Sequence, residues 1–112
     1  MELSKSDVGS TRIVKVLDSR IDAAVAIQFK DAMRAETEGG PERIVLDLSD
    51  VSFIDSSGLG AVVAAKKLLN DAHVLELAGL TPVVAKVFKL TRMDTVFAIH
   101  SDVAAAVPPL AS

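Results

Sequence analysis

The chain has 112 residues, half of them apolar, with no cysteine, tryptophan or tyrosine and a formal charge of −3. That length suits one compact core, and the missing cysteines exclude a disulfide framework, thiolate zinc sites and iron–sulfur clusters. The acidic balance argues against a nucleic-acid footprint, and the longest small-and-apolar run, Gly58 to Ala65, is far short of the roughly 18–20 residues of a membrane span. Met1 to Asp7 has no basic stretch followed by an apolar core, so no signal peptide is expected. The reading is a cytoplasmic single domain over residues 1–112, with loose ends at 1–7 and 108–112.

In chain order, the polar stretch Leu3 to Val8 and the run Thr11 to Leu17 flank Gly9-Ser10. Glycine tolerates the positive φ of a tight turn, which predicts a hairpin whose first, polar strand lies at a sheet edge. Asp22 then precedes a helical pattern over residues 23–34 in which Val25, Phe29, Ala32 and Met33 recur at helical spacing, with Asp22 as its N-cap. Gly39-Gly40-Pro41 stops that helix. Arg43 to Leu48 is a dense aliphatic run of the kind found in strands buried on both faces. Beyond a bend at Ser49-Asp50, Val51 to Ile54 leads into Asp55-Ser56-Ser57-Gly58-Leu59-Gly60, and Ala61 to Leu69 is helical. Gly58, Ala61, Val62, Ala65, Leu68 and Leu69 share one face of it.

His73 to Ala78 reads as a strand, and Thr81-Pro82 opens a helix over Val83 to Leu90 with Val84, Val87 and Phe88 inward. Val96 to Ile99 is a short last strand, and Ser101 caps a final helix closed by Pro108-Pro109. The order β-β-α-β-α-β-α-β-α predicts an α/β fold. It has a small mixed sheet, the antiparallel hairpin at one edge, and helices packed mainly on one face.

The segment Phe53 to Gly60 holds a carboxylate, two hydroxyls and two glycines at a strand-to-helix junction. Three readings compete. Asp55, Ser56 and Ser57 are all residues that cap a helix by accepting from its unpaired N–H groups. A nucleophilic serine would need the Gly-x-Ser-x-Gly elbow and a positioned histidine, whereas no glycine stands two before Ser56 and the histidines, His73 and His100, fall at strand or loop boundaries. A regulatory phosphoacceptor would use an exposed serine at a helix N-terminus. There the helix dipole tolerates about −1.5 to −2 added charges, and a docked partner does not.

Ile44-Val-Leu-Asp-Leu-Ser-Asp-Val-Ser-Phe-Ile-Asp-Ser-Ser-Gly-Leu-Gly60 resembles the central signature of the STAS domain family, specifically the bacterial anti-sigma factor antagonists. Arg20-Ile21-Asp22-Ala23, Leu75 to Pro82 and Val87 to Phe97 resemble further stretches of the family in the same order. The resemblance implies a binding protein rather than an enzyme, with no cofactor and no metal. Its partner would be an anti-sigma factor, a serine kinase of the GHKL ATPase type that supplies the ATP, and binding would free a sigma factor. The kinase would phosphorylate Ser56 and a serine phosphatase would reverse it. Asp55, Ser57, Gly58 and Leu59 would form the rest of the loop, with Arg20 and Asp22 facing the partner. Val62, Val63 and Lys66-Lys67 would border that surface, Val63 falling off the buried stripe of its helix.

The sequence leaves open a monomer or a weak dimer. The alternative within the family is a STAS docking subunit of another regulatory or lipid-transport complex, without a sigma factor downstream. One departure is visible: Asp18-Ser19 stands where the family usually carries a glycine. A positive φ at Ser19 would strain that turn.

Overall fold

A computed structural model describes residues 1–69 and 72–107. The elements in chain order are β1 (Leu3–Val8), β2 (Thr11–Val16), β3 (Arg20–Ile21), α1 (Ala26–Thr37), β4 (Arg43–Asp47), β5 (Phe53–Ile54), α2 (Ser56–Leu69), β6 (Val74–Ala78), α3 (Pro82–Leu90), a 3₁₀ turn (Met93–Thr95), β7 (Ile99–His100) and α4 (Val103–Ala106). The main sheet runs β1-β2-β4-β6-β7. Only β1–β2 is antiparallel, and β3 and β5 form a separate parallel pair.

The hairpin closes with Val8 opposite Thr11, so its loop is Gly9-Ser10, and Gly9 takes φ 61°. A residue with a Cβ would be strained there. β1 is polar and exposed along most of its length, as suits an edge strand. Residues 3–7 are therefore strand, not the loose end expected over 1–7. The terminus is tied as well: the Met1 amine donates to Gln28 Oε1 at 2.9 Å and the Glu2 amide to Asp18 Oδ1 at 3.0 Å.

One sheet face and α1, α2 and α3 enclose the main core. Val14, Val16, Ile44, Leu46, Leu75 and Leu77 come from the strands; Phe29, Met33, Val62, Ala65, Val84 and Phe88 come from the helices. On the other face, among the described residues, α4 packs, seating Ala106 on Val45 and Ala78. β4 thus lies between two layers, which is why its aliphatic run does not alternate with polar residues. No helix among the described residues is long and apolar enough to cross a membrane.

Four boundaries differ from expectation. α1 begins at Ala26, and Asp22 is not its cap: the Asp22 carboxylate accepts from the Ala24 amide at 3.1 Å and its carbonyl from the Val25 amide at 3.1 Å. This local turn competes with the helix for the chain, a common behaviour of aspartate. α2 begins at Ser56 rather than Ala61, so Leu59 joins the buried stripe while Leu68 is 41% exposed. The last strand is Ile99–His100, not Val96 to Ile99. Its predicted start is drawn into the core by Phe97, which meets Phe88 edge-on at 6.0 Å between ring centres. Asp102, not Ser101, caps α4, accepting from the Ala105 amide at 2.7 Å. The proline pair expected to close α4 lies outside the described residues.

On the α4 face, Arg43 bridges two elements. Its guanidinium donates to both carboxylate oxygens of Glu76, at 3.2 and 2.8 Å, and to the Ala106 carbonyl at the end of α4, at 2.7 Å. His100 Nε2 lies 2.6 Å from the same Glu76 carboxylate. The Arg43 hydrogen bonds hold the Glu76 carboxyl below its ordinary 4.5, against the opposing effect of burial, with a smaller contribution from His100. A carboxyl lowered in the folded state binds fewer protons there than in the unfolded chain. Its contribution is therefore complete above about pH 4.5 and is lost as pH falls through the lower folded value. Chemical denaturation followed by circular dichroism from pH 7 to 3 should show this acid loss, and Glu76→Gln should flatten it. Arg43→Met should cost about 1–3 kcal/mol at neutral pH, because the Glu76 charge and a helix carbonyl both lose their donor.

Candidate functional site

The two short strands β3 and β5 set two loops side by side. The Ser19 carbonyl accepts from the Ser52 amide (2.8 Å), the Ser52 hydroxyl (3.1 Å) and the Phe53 amide (3.3 Å). Ser19 is not among the residues of positive φ, so serine holds this turn without strain. Two residues further, the Ile21 carbonyl accepts from the Asp55 amide at 3.3 Å.

Asp55 joins the loops through both carboxylate oxygens. Oδ1 accepts from the Gly58 amide at 2.8 Å, three residues into α2, and Oδ2 accepts from the Ala23 amide at 3.3 Å in the opposite loop. The Asp55 carbonyl also takes the Leu59 amide at 2.8 Å, so Asp55 is the N-cap of α2. Asparagine, with one acceptor oxygen and one NH2 group, could not accept at both points from this position. Gly58 fits here for a steric reason: a Cβ on it would fall 1.9 Å from the Ile21 carbonyl oxygen. The first turn of α2 therefore rests directly on the β3 backbone.

Ser56 and Ser57 occupy the first two helical positions and are exposed. Arg20, in β3 opposite Phe53, and Asp22, next to the Ala23 amide that Asp55 holds, stand on the neighbouring segment, with Arg20 Nε 3.3 Å from Asp22 Oδ2. The Arg20 guanidinium lies 4.3 Å from the centre of the Phe53 ring, a cation–π contact that braces an otherwise long, exposed side chain. Phe53 belongs to this surface although no motif in the sequence marks it. Its signal was a bulky aromatic at a strand position whose neighbour, Ile54, faces the core, so that Phe53 must face out.

Of the predicted site residues, the structure gathers Arg20, Asp22, Asp55, Ser56 and Ser57 on one surface. Gly58 and Leu59 lie beneath it. Leu59 is 8% exposed and belongs to the main core, where a partner would find little of it. Val63 lies two turns along α2 and, rather than standing free, packs partly against that core; Val62 is fully buried. Lys66 Nζ reaches back to 5.7 Å from the centre of the Phe97 ring, and Lys67 is exposed. Neither histidine forms a hydrogen bond with Ser56: His73 Nδ1 is 2.8 Å from the Pro41 carbonyl and His100 is held by Glu76. The arrangement presents an exposed hydroxyl on a braced, acidic corner, with both histidines engaged elsewhere.

The STAS domain profile matches residues 6–106, and the chain belongs to that family. The anti-sigma-B factor antagonist of Listeria monocytogenes is 38% identical over 84 residues, covering 72% of each chain. Among solved structures, an anti-sigma factor antagonist from Mycobacterium paratuberculosis superposes with a TM-score of 0.83 at 24% identity, over 95% of this chain and 90% of that one. The Bacillus protein SpoIIAA shares the fold in both its unphosphorylated form (TM-score 0.70, 21% identity, 94% and 93% coverage) and its phosphorylated form (TM-score 0.64, 20% identity, 94% and 96% coverage).

Two substitutions test the geometry. Gly58→Ala should lower stability by about 1–3 kcal/mol or more, since backbone of β3 or α2 must move to admit the methyl group. Asp55→Ala should cost about 1–2 kcal/mol through loss of the cap and of the tie to Ala23. Thermal unfolding followed at 222 nm reads both, because a chain without tryptophan or tyrosine has almost no intrinsic fluorescence to follow.

Proposed function

We propose that this chain is an anti-sigma factor antagonist: it binds an anti-sigma factor, frees the sigma factor held by it, and is switched off when Ser56 is phosphorylated. The observation that carries the reading is the exposed Ser56 hydroxyl at the first position of α2, on a surface shared with Arg20, Asp22 and Asp55. The anti-sigma factor would itself be the serine kinase, of the GHKL type, and would bring the ATP. A serine phosphatase would restore the free hydroxyl. The chain's own Gly58 and Gly60 lie within α2 and form no phosphate loop.

The switch needs no change of shape. A phosphate on Ser56 adds about −1.5 to −2 charges at a helix N-terminus, where the dipole and the first-turn amides accept it, so the fold stands. The same charge beside Asp55 and Asp22 meets any partner packed on this corner with repulsion and a desolvation cost. A penalty of about 2.7 kcal/mol is already a hundredfold in affinity. The chain acts by binding, as a monomer or a weak dimer, with Ser57, Gly58 and Leu59 shaping the loop from beside and below.

Incubation with ATP and each anti-sigma serine kinase of the same genome, followed by peptide mass measurement, tests the reading. One phosphoryl group on Ser56, absent from Ser56→Ala, is the expected result, and Ser56→Asp should bind that kinase about a hundredfold more weakly. No modification by any kinase, together with unchanged binding by Ser56→Asp, would replace this function with that of a constitutive docking subunit.

A further inference from the structure

Along its outer side, the seam between α1 and α2 is an open groove. Lys30 and Ala64 border both its first and middle stretches, and Arg34 and Leu68 border both its middle and last, so the depressions are continuous. It starts at Ser57, next to the phosphoacceptor, and follows about eleven residues of α2, roughly 16 Å. Two large apolar side chains stand in the open along it: Ile27 is 71% exposed and Leu68 41%. Single exposed apolar side chains are ordinary on a protein surface; what distinguishes these two is that they border one continuous groove. The floor at Gly60 is bare, since a Cβ there would meet no atom within 4 Å. A glycine inside a helix costs about 0.5–1 kcal/mol relative to alanine, and nothing inside this molecule crowds the position to require it.

The rim is basic in an acidic protein. Lys30, Arg34 and Lys67 line the middle stretch against a single carboxylate, Asp31, with Glu38 bordering the last stretch, while the whole chain carries −3. None of the three forms an ion pair among the described residues. Lys66, next to Lys67 in sequence, points instead to Phe97.

We infer that this groove receives an acidic amphipathic helix of the partner protein, about three turns long. Its apolar side chains meet Ile27 and Leu68, its carboxylates meet Lys30, Arg34 and Lys67, and its backbone comes close over Gly60. The inference rests on the anti-sigma reading and extends its interface from the Ser56 corner along the helix pair. It also gives the phosphate something to repel, because the acidic helix begins beside Ser56.

The test is calorimetric titration of the kinase that modifies Ser56 into the wild-type chain, Ile27→Asp, the double variant Lys30→Glu with Lys67→Glu, and Gly60→Ala. Ile27→Asp and the double charge reversal should each weaken binding about tenfold or more, and the double variant should also flatten the salt dependence of affinity. Gly60→Ala should melt roughly 2–6 °C higher yet bind more weakly, a combination that a purely structural role for Gly60 does not produce. Melting curves separate any folding defect in the other two. Unchanged affinity in all three variants, with Ser56→Asp still impaired, would overturn the groove and leave the anti-sigma reading in place. Failure of the wild-type chain to bind any such kinase would remove that reading and the groove with it. Binding to phosphatidylglycerol vesicles that is lost in the double variant, with kinase affinity intact, would assign the basic rim to a membrane instead.

Discussion

The candidate site depends on one close approach: the first turn of α2 lies against the carbonyl of Ile21 with no room for a side chain between them. Gly58 makes that approach possible, and Asp55 locks it by giving one carboxylate oxygen to α2 and the other to the loop that follows β3. The order of these residues along the chain follows from the geometry. The cap must precede the helix by one residue, and the residue whose amide it takes is the one that touches β3. Ser56 and Ser57 fall between cap and contact, at positions where the helix turns their side chains outward. Their exposure is therefore a consequence of the packing of their neighbours rather than a separate feature.

A corner built this way suits an electrostatic switch better than a conformational one. Its loops are pinned at Ser19, Ile21, Ala23 and Asp55 by backbone and carboxylate hydrogen bonds, and α2 continues directly into the main core through Leu59 and Val62. Moving the corner would mean moving the core. A change of charge on its surface needs no such movement, and a helix N-terminus is the place where added negative charge is least harmful to the fold. The same rigidity fixes the direction in which the Ser56 hydroxyl faces solvent.

Sequence reasoning reached the hairpin, the buried strand, the three main helices and the mixed sheet because each rests on a local rule. Gly9 marks a turn, the Arg43 to Leu48 run marks burial on both faces, and Pro82 marks a helix start. It failed where another contact, local or tertiary, outweighed the signal, or where an element was too short to carry one. Asp22 looked like a helix cap and instead folds its own short turn, leaving α1 to begin four residues later without a side-chain cap. Val96 and Phe97 looked like strand, but Phe97 is more useful against Phe88 than in the ladder. Leu59 looked like part of a binding loop, yet extending α2 back to Ser56 turns it inward. The pairing of β3 with β5 was invisible because strands of two residues carry no periodicity.

These misses share a cause that bears on the surface as well as the core. Moving the start of α2 from Ala61 back to Ser56 adds more than a turn of helix, and it is this turn that carries Gly60 and opens the seam beside Ile27. Read from Ala61, the helix has one apolar stripe and a polar back. With the added turn, Gly60 joins Ala64, Lys67 and Leu68 on a second stripe at helical spacing, facing away from the core toward the groove along α1. The core stripe accounts for the fold. The outer stripe begins beside Ser56, so the exposed hydroxyl at the helix start and the groove along the helix flank share one rigid element.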